Sequence, residues 1–263
     1  MNSFNRISLS FALAGFIGSG FAAEPPTTNS AAEIAAQLSG KRESGSTDVR
    51  LRMELQPSPA AEKATFQIQI KERRTSAGAD VAYVILWPKE RKGEALLVRQ
   101  RSGSAPVASV ITLDGKSQSI GMNQPVFGSN LAVADTIENF YSWKNQAIIG
   151  SEEVNQVSCQ ILESKPGNGD SSIYSRVLSW VDPKRLVPLK VEKYLSGKLA
   201  RRIETTRVVP QGRYGNLPAD LTVREPGKES VTKLDGSRIQ RDVSFADADF
   251  TIEGLRRTSS PQP

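Results

Sequence analysis

Tyr174 to Arg202, read Y-S-R-V-L-S-W-V-D-P-K-R-L-V-P-L-K-V-E-K-Y-L-S-G-K-L-A-R-R, constrains this chain more than any other stretch. Two turn signals, Asp182-Pro183 and Ser196-Gly197, interrupt runs rich in Val, Leu, Trp and Tyr, which is the pattern of consecutive β-hairpins. Pro183 presets φ, and the Asp182 side chain can bond the backbone two residues on. Pairing Val181 with Leu186 sets Leu178 against Leu189, Trp180 against Val187 and Arg176 against Val191. That register puts Leu178, Trp180, Val187, Leu189 and Val191 on one apolar face. At the second turn, a plain two-residue loop would mix the faces. One extra residue, with Gly197 left-handed as a bulge, sets Val191 against Ile203 and Glu192 against Arg202 and keeps the faces intact. The result is an antiparallel meander whose apolar face needs a cover.

Alternation extends the meander in both directions. Val49, Leu51, Met53 and Leu55 alternate with Arg50, Arg52 and Glu54, and Phe66, Ile68 and Ile70 with Gln67, Gln69 and Lys71, as in strands with one wet face. Val81–Trp87 is apolar on both faces, so it is a strand covered twice or a strand lining a cavity. Further strands are expected at 94–101, 107–113, 147–149, 154–162, 203–209, 220–224, 229–234 and 239–245, with Asp114-Gly115 as a turn. Two helices stand out. Ser30 and Glu33 form a capping box for a short helix carrying Ile34 and Leu38 and ending at Gly40. Leu131–Tyr141, capped by Asn130, places Ala134, Ile137 and Tyr141 on one face.

Residues 1–22 read as a secretory signal: Arg6, an apolar run from Ile7 to Phe21, and Gly20-Phe21-Ala22 before a cleavage point after Ala22. The expected organisation is that leader, one domain over 23–255, and a flexible tail over 256–263. The chain has 34 basic and 28 acidic residues, so losing Arg6 leaves a net charge of about +5. Its basic pairs are scattered among acids, which indicates a solvated surface or steering towards anionic lipid head groups or an acidic partner, and not a nucleic-acid footprint.

Chemistry is sparse. The chain has no histidine, which removes His-based acid–base catalysis, Ser-His and Cys-His nucleophile pairs and His-ligated metals. Cys159 is the single cysteine, so it forms no intramolecular disulfide; alternation places it with Val157 and Ile161 as a buried small residue. No phosphate loop or nucleophile elbow occurs. Acids occur in pairs, Glu152-Glu153 and Asp247 with Asp249; the second spacing puts two acids on one strand face and could serve a glycosidase or Ca²⁺, but reads better as a solvated loop or strand end. No catalytic residue, cofactor or metal is expected.

Several residues in order resemble the outer-membrane lipoprotein-sorting, LolA-like family. They are the early helix, Gly128-Ser129-Asn130-Leu131 before the second helix, Glu152-Glu153, Trp180 and Asp182, Pro188 to Glu192, the glycine turn, and Phe250-Thr251 near the end. The resemblance covers about Ala31 to Leu255. It implies a mainly β fold, a strongly curved antiparallel sheet forming an unclosed half-barrel, with a few helices covering its concave face and acyl chains held between. It further implies a periplasmic, non-enzymatic carrier, monomeric, for a lipid or lipoprotein acyl group. The expected lining is Leu178, Trp180, Leu189 and Val191 from the hairpins, Tyr83, Ile85 and Trp87 from the doubly apolar strand, and Ile137 and Tyr141 from the helix. The alternative is the same fold used as a sensor that binds an inner-membrane protein partner, as in a related group that regulates sigma-factor signalling.

Overall fold

Alternating apolar residues cannot bury one strand face singly, so the chain lays strand beside strand and then covers the sheet. A computed structural model describes residues 29–43 and 45–259; the expected leader and its cleavage point lie outside them. A helix, α1 (Ala31–Glu43), precedes six strands: β1 (Ser46–Gln56), β2 (Ala64–Thr75), β3 (Gly78–Trp87), β4 (Ala95–Arg101), β5 (Val107–Ile111) and β6 (Ser117–Ser119). A short helix, α2 (Val133–Ile137), follows. Seven more strands come next: β7 (Asn145–Val154), β8 (Val157–Lys165), β9 (Arg176–Asp182), β10 (Val187–Leu195), β11 (Lys198–Pro210), β12 (Asn216–Arg224) and β13 (Val231–Arg241), and then α3 (Ile252–Ser259).

All thirteen strands join one sheet in the order β6-β5-β4-β3-β2-β1-β13-β12-β11-β10-β9-β8-β7. The pairings are antiparallel throughout. The two ends of the meander meet at β1 and β13, while β6 and β7 remain as edges, so the sheet does not close into a barrel. The segment between those edges, which contains α2, packs on the inner face together with α1.

The expected helix starts hold in part. Ser30 and Glu33 form the capping box, with Ser30 N donating to Glu33 Oε2 at 2.7 Å and Glu33 N to Ser30 Oγ at 3.3 Å. Gly40 does not end α1, which continues to Glu43. The second helix is shorter than its sequence window, five residues followed by a 3-10 turn at Phe140–Ser142. Asn130 does not cap it; the Asp135 carboxylate does, accepting from Ala132 N at 2.7 Å. Asn130 instead ties the segment to β13, its N–H bonding Thr232 Oγ1 and its amide nitrogen Ser230 Oγ. The expected tail begins inside α3, whose Leu255 is buried against β3 and β5.

The hairpin registers are instructive. At the second turn Val191 pairs with Ile203 and Glu192 with Arg202, as expected. The extra residue sits one pair further on: Ser196 (φ 47°) and Gly197 (φ 80°) make a tight primed turn, and the register shifts after Lys193. The first hairpin departs from expectation. Asp182 pairs with Val187, a slip of two residues that leaves the faces unchanged, but a bulge at Leu189 then sets Trp180 against Lys190 and Ser179 against Val191. A single added residue flips every later side chain, so Val191 leaves the face of Leu178, Trp180 and Leu189.

Candidate functional site: the inner face and the α2 latch

An inner ladder crosses much of the sheet through Leu162, Ser179, Val191, Ile203, Val223, Thr232 and Leu55, each paired with the next. Two apolar clusters lie on this face. The first joins Met53, Phe66, Ile68, Val81, Ile85 and Leu96 to Leu131, Val133 and Ile137 of the α2 segment, with Tyr83 packed against it. The second joins Leu162, Val177, Val181 and Val191 to Ile34 and Leu38 of α1 and to Phe140, Tyr141 and Trp143. Tyr141 O–H bonds Ser179 Oγ at 3.2 Å. Ile85 and Ile137 are 0% exposed, so an apolar chain can reach this face only by displacing the segment over it.

Five of the nine expected lining residues therefore share the inner face: Tyr83, Ile85, Ile137, Tyr141 and Val191. The other four do not. Leu178, Trp180 and Leu189 form an outer cluster with Cys159 and Val187. Trp180 Nε1 donates to Glu152 Oε2 at 2.7 Å, and Lys190 Nζ stands 3.7 Å from the ring centroid, which seals that patch with long polar side chains. Trp87 is 50% exposed; a register shift after Ile85 pairs it with Gln67, away from the inner side chains. β3 is indeed covered twice, its outer face (Ala82, Val84, Leu86) lying under Phe250 and Leu255.

A buried polar knot holds the inner cover in place. Lys193 follows Val191 on the inner side of β10 and donates to Asp135 Oδ1 at 2.7 Å. Tyr174 O–H donates to the same oxygen at 2.7 Å, and Arg201 Nε lies 3.4 Å from Asp135 Oδ2 while bonding the Asn130 carbonyl at 2.9 Å. The Asp135 and Lys193 side chains are 2% and 3% exposed. Burial pushes the Asp135 carboxyl up, but the Lys193 ammonium, its hydrogen bond and the Arg201 guanidinium outweigh it and hold the group below its ordinary value. Burial, with the Asp135 charge, pushes the Tyr174 hydroxyl up. Glu138 accepts from Ser172 Oγ and Ile173 N, and burial raises its pKa from 4.5 to about 6.

Sequence reasoning missed this knot. One signal was present: alternation from Val191 puts Lys193 on the inner apolar face, and a charge there demands a partner. The partner, 58 residues earlier, has no sequence signature.

The remaining candidates resolve as structural groups. Asp182 accepts from Lys184 N and Arg185 N, as a turn residue does. Asp247 pairs with Arg73 and Asp249 with Lys71, joining the 3-10 turn before α3 to β2. Cys159 is buried, and burial pushes its thiol up. Among the described residues no cluster of His, Cys, Asp and Glu could hold a metal ion, and no helix is long and apolar enough to cross a membrane.

The open antiparallel half-barrel with short helices in its mouth is the LolA-like architecture. A DUF1329 family protein from Desulfovibrio piger superposes with a TM-score of 0.77 at 19% identity, over 86% of this chain and 97% of that one. A LolA superfamily protein from Nitrosomonas europaea gives 0.69 at 19% identity, over 85% and 98%. A domain assigned to outer membrane lipoprotein sorting from Vibrio parahaemolyticus gives 0.75 at 20% identity, over 86% and 98%. No curated protein matches the sequence. Residues 79–257 match the model of a family described only as an uncharacterised "-like" protein; the chain belongs to that family and has the LolA-like fold.

Proposed function

We propose that this protein is a periplasmic, non-enzymatic carrier that takes the acyl chain of a lipid or lipoprotein against its inner face when the α2 segment moves aside. One observation carries the reading: a wide apolar sheet face is covered by one short segment, a five-residue helix and its flanks, pinned by a buried ion knot, so that displacing this segment exposes the face. Each methylene transferred from water to that face contributes about 0.8 kcal/mol, which works against the cost of lifting the cover and needs no catalytic group. The names of the structural neighbours, lipoprotein sorting and LolA superfamily, fit this reading. Export follows from the leader, with the mature chain beginning at Ala23.

Two measurements test it. Mass spectrometry of extracts from protein purified natively should find lipid or acylated peptide in stoichiometric amount, and N-terminal sequencing should start at Ala23. A stable complex with a membrane protein and no lipid would instead support the sensor role of the same fold.

A further inference from the structure

The turn joining β2 to β3, the β4–β5 connection, the segment after α2 and the loop around Asp170 converge on a cleft of about 720 Å³. Two of its lining residues, Ala79 and Trp143, belong to the first and second inner clusters respectively. The cleft therefore borders both clusters, beside the inner face.

The walls are polar, and their charges balance. Hydroxyls come from Ser76, Ser102, Ser104 and Ser171 and an amide from Gln100; Thr75, Ser142 and Asn139 on the same lining are hydrogen-bonded within the protein. Arg74 pairs with Glu72 and donates to the Ile137 carbonyl at 3.1 Å, and Arg101 pairs with Asp80. Glu138 accepts from Ser172 and Ile173, and Asp170 from Gly167 N. The lining carries two arginines, Arg74 and Arg101, and two carboxylates, Glu138 and Asp170, so an anionic head gains a cation only beside a like charge. A hydroxylated head meets donors and acceptors on both walls.

We propose that this cleft binds the uncharged, hydroxyl-rich head of an amphiphile, a glycosyl or glycerol group, while the inner face takes the chain; this rests on the carrier reading above.

The test displaces a fluorescent fatty-acid probe with octanoate, octyl glucoside and octyl phosphate, which share a chain length and differ in head. Octyl glucoside should displace the probe at about tenfold lower concentration than the other two, the scale of one or two added net hydrogen bonds. Ser104→Trp and Ser171→Trp, at exposed positions on different walls, fill the cleft from outside the core. Each should abolish the glucoside advantage and leave octanoate unchanged. The proposal is overturned if octyl phosphate competes best, if the three heads rank equally on wild type, or if both variants shift all three ligands alike, which would make the cleft only a passage. Probe binding to wild type reports on the carrier reading alone, so its loss is separable from a failed ranking of heads.

Discussion

Asp135→Asn tests whether the α2 segment is held by charge. The substitution keeps the shape of the side chain, and an amide oxygen can still accept from Tyr174 or Ala132. It removes the charge facing Lys193, whose side chain is 3% exposed. Stranding one partner of a buried pair costs about 3–5 kcal/mol, against a total domain stability of about 5–15 kcal/mol. Lys193 regains water only if α2 lifts away from β10, so the cost falls on the closed arrangement. At 1.36 kcal/mol per tenfold, opening should become about 10²- to 10⁴-fold more frequent. The reporters are the amides of Val133, Ala134 and Glu138, which bond Gln124 O, Met122 O and Ala134 O in the closed segment. Hydrogen exchange there should accelerate by that factor, while amides of Ile203 and Val223 in the inner ladder change far less. Fatty-acid probe association should speed up in parallel. Adding Lys193→Met should recover much of the loss, because an apolar side chain needs no counter-charge. Uniform acceleration at all amides, or none at α2, would refute the latch.

Three further outcomes are expected. Glu138, raised from 4.5 to about 6, binds its proton more tightly when folded, so its contribution to stability falls as pH rises from about 4.5 to about 6, by about 2 kcal/mol. Glu138→Gln should flatten that part of a urea-midpoint profile, and identical slopes in both proteins would exclude the assignment. Val191→Glu and Leu189→Glu each bury a carboxylate and should destabilise by several kcal/mol, visible as lower melting temperatures. Only Val191→Glu, on the inner face, should also abolish probe binding in the folded protein, and equal loss in both would put the site elsewhere. Cys159 should resist a thiol reagent until the protein unfolds, since it is buried with a raised thiol pKa; rapid native labelling would contradict its packing.

Much of the architecture was written locally. Period-two alternation in Val49–Leu55 and Phe66–Ile70, the capping box at Ser30 and Glu33, and the turn at Ser196-Gly197 depend on residues a few positions apart, so those strands, the start of α1 and the β10–β11 pairs were legible in the sequence. The strands expected at 229–234 and 239–245 are instead one, β13, and β6 carried no signal that was read. The double cover of β3 was legible as a run apolar on both faces. The LolA-like resemblance supplied the curvature of the sheet, which no single segment encodes. The site was only partly legible, and the cause is specific. One bulged residue at Leu189 reverses the facing of Val191 relative to Leu178 and Trp180, and no local signal marks where a strand will absorb an extra residue. Another register shift, after Ile85, turns Trp87 away from the inner face. Tertiary contacts sit at both ends of α2 as well: Asn130 is drawn to Thr232 before it, and after it Arg74 donates to the Ile137 carbonyl and Glu138 accepts from Ser172 and Ile173, where the backbone turns extended. Which face is apolar follows from composition along a strand, and that much the chain carries in itself. Which face becomes the inside depends on register, and register is settled only when distant strands and the polar knot compete for the same buried volume.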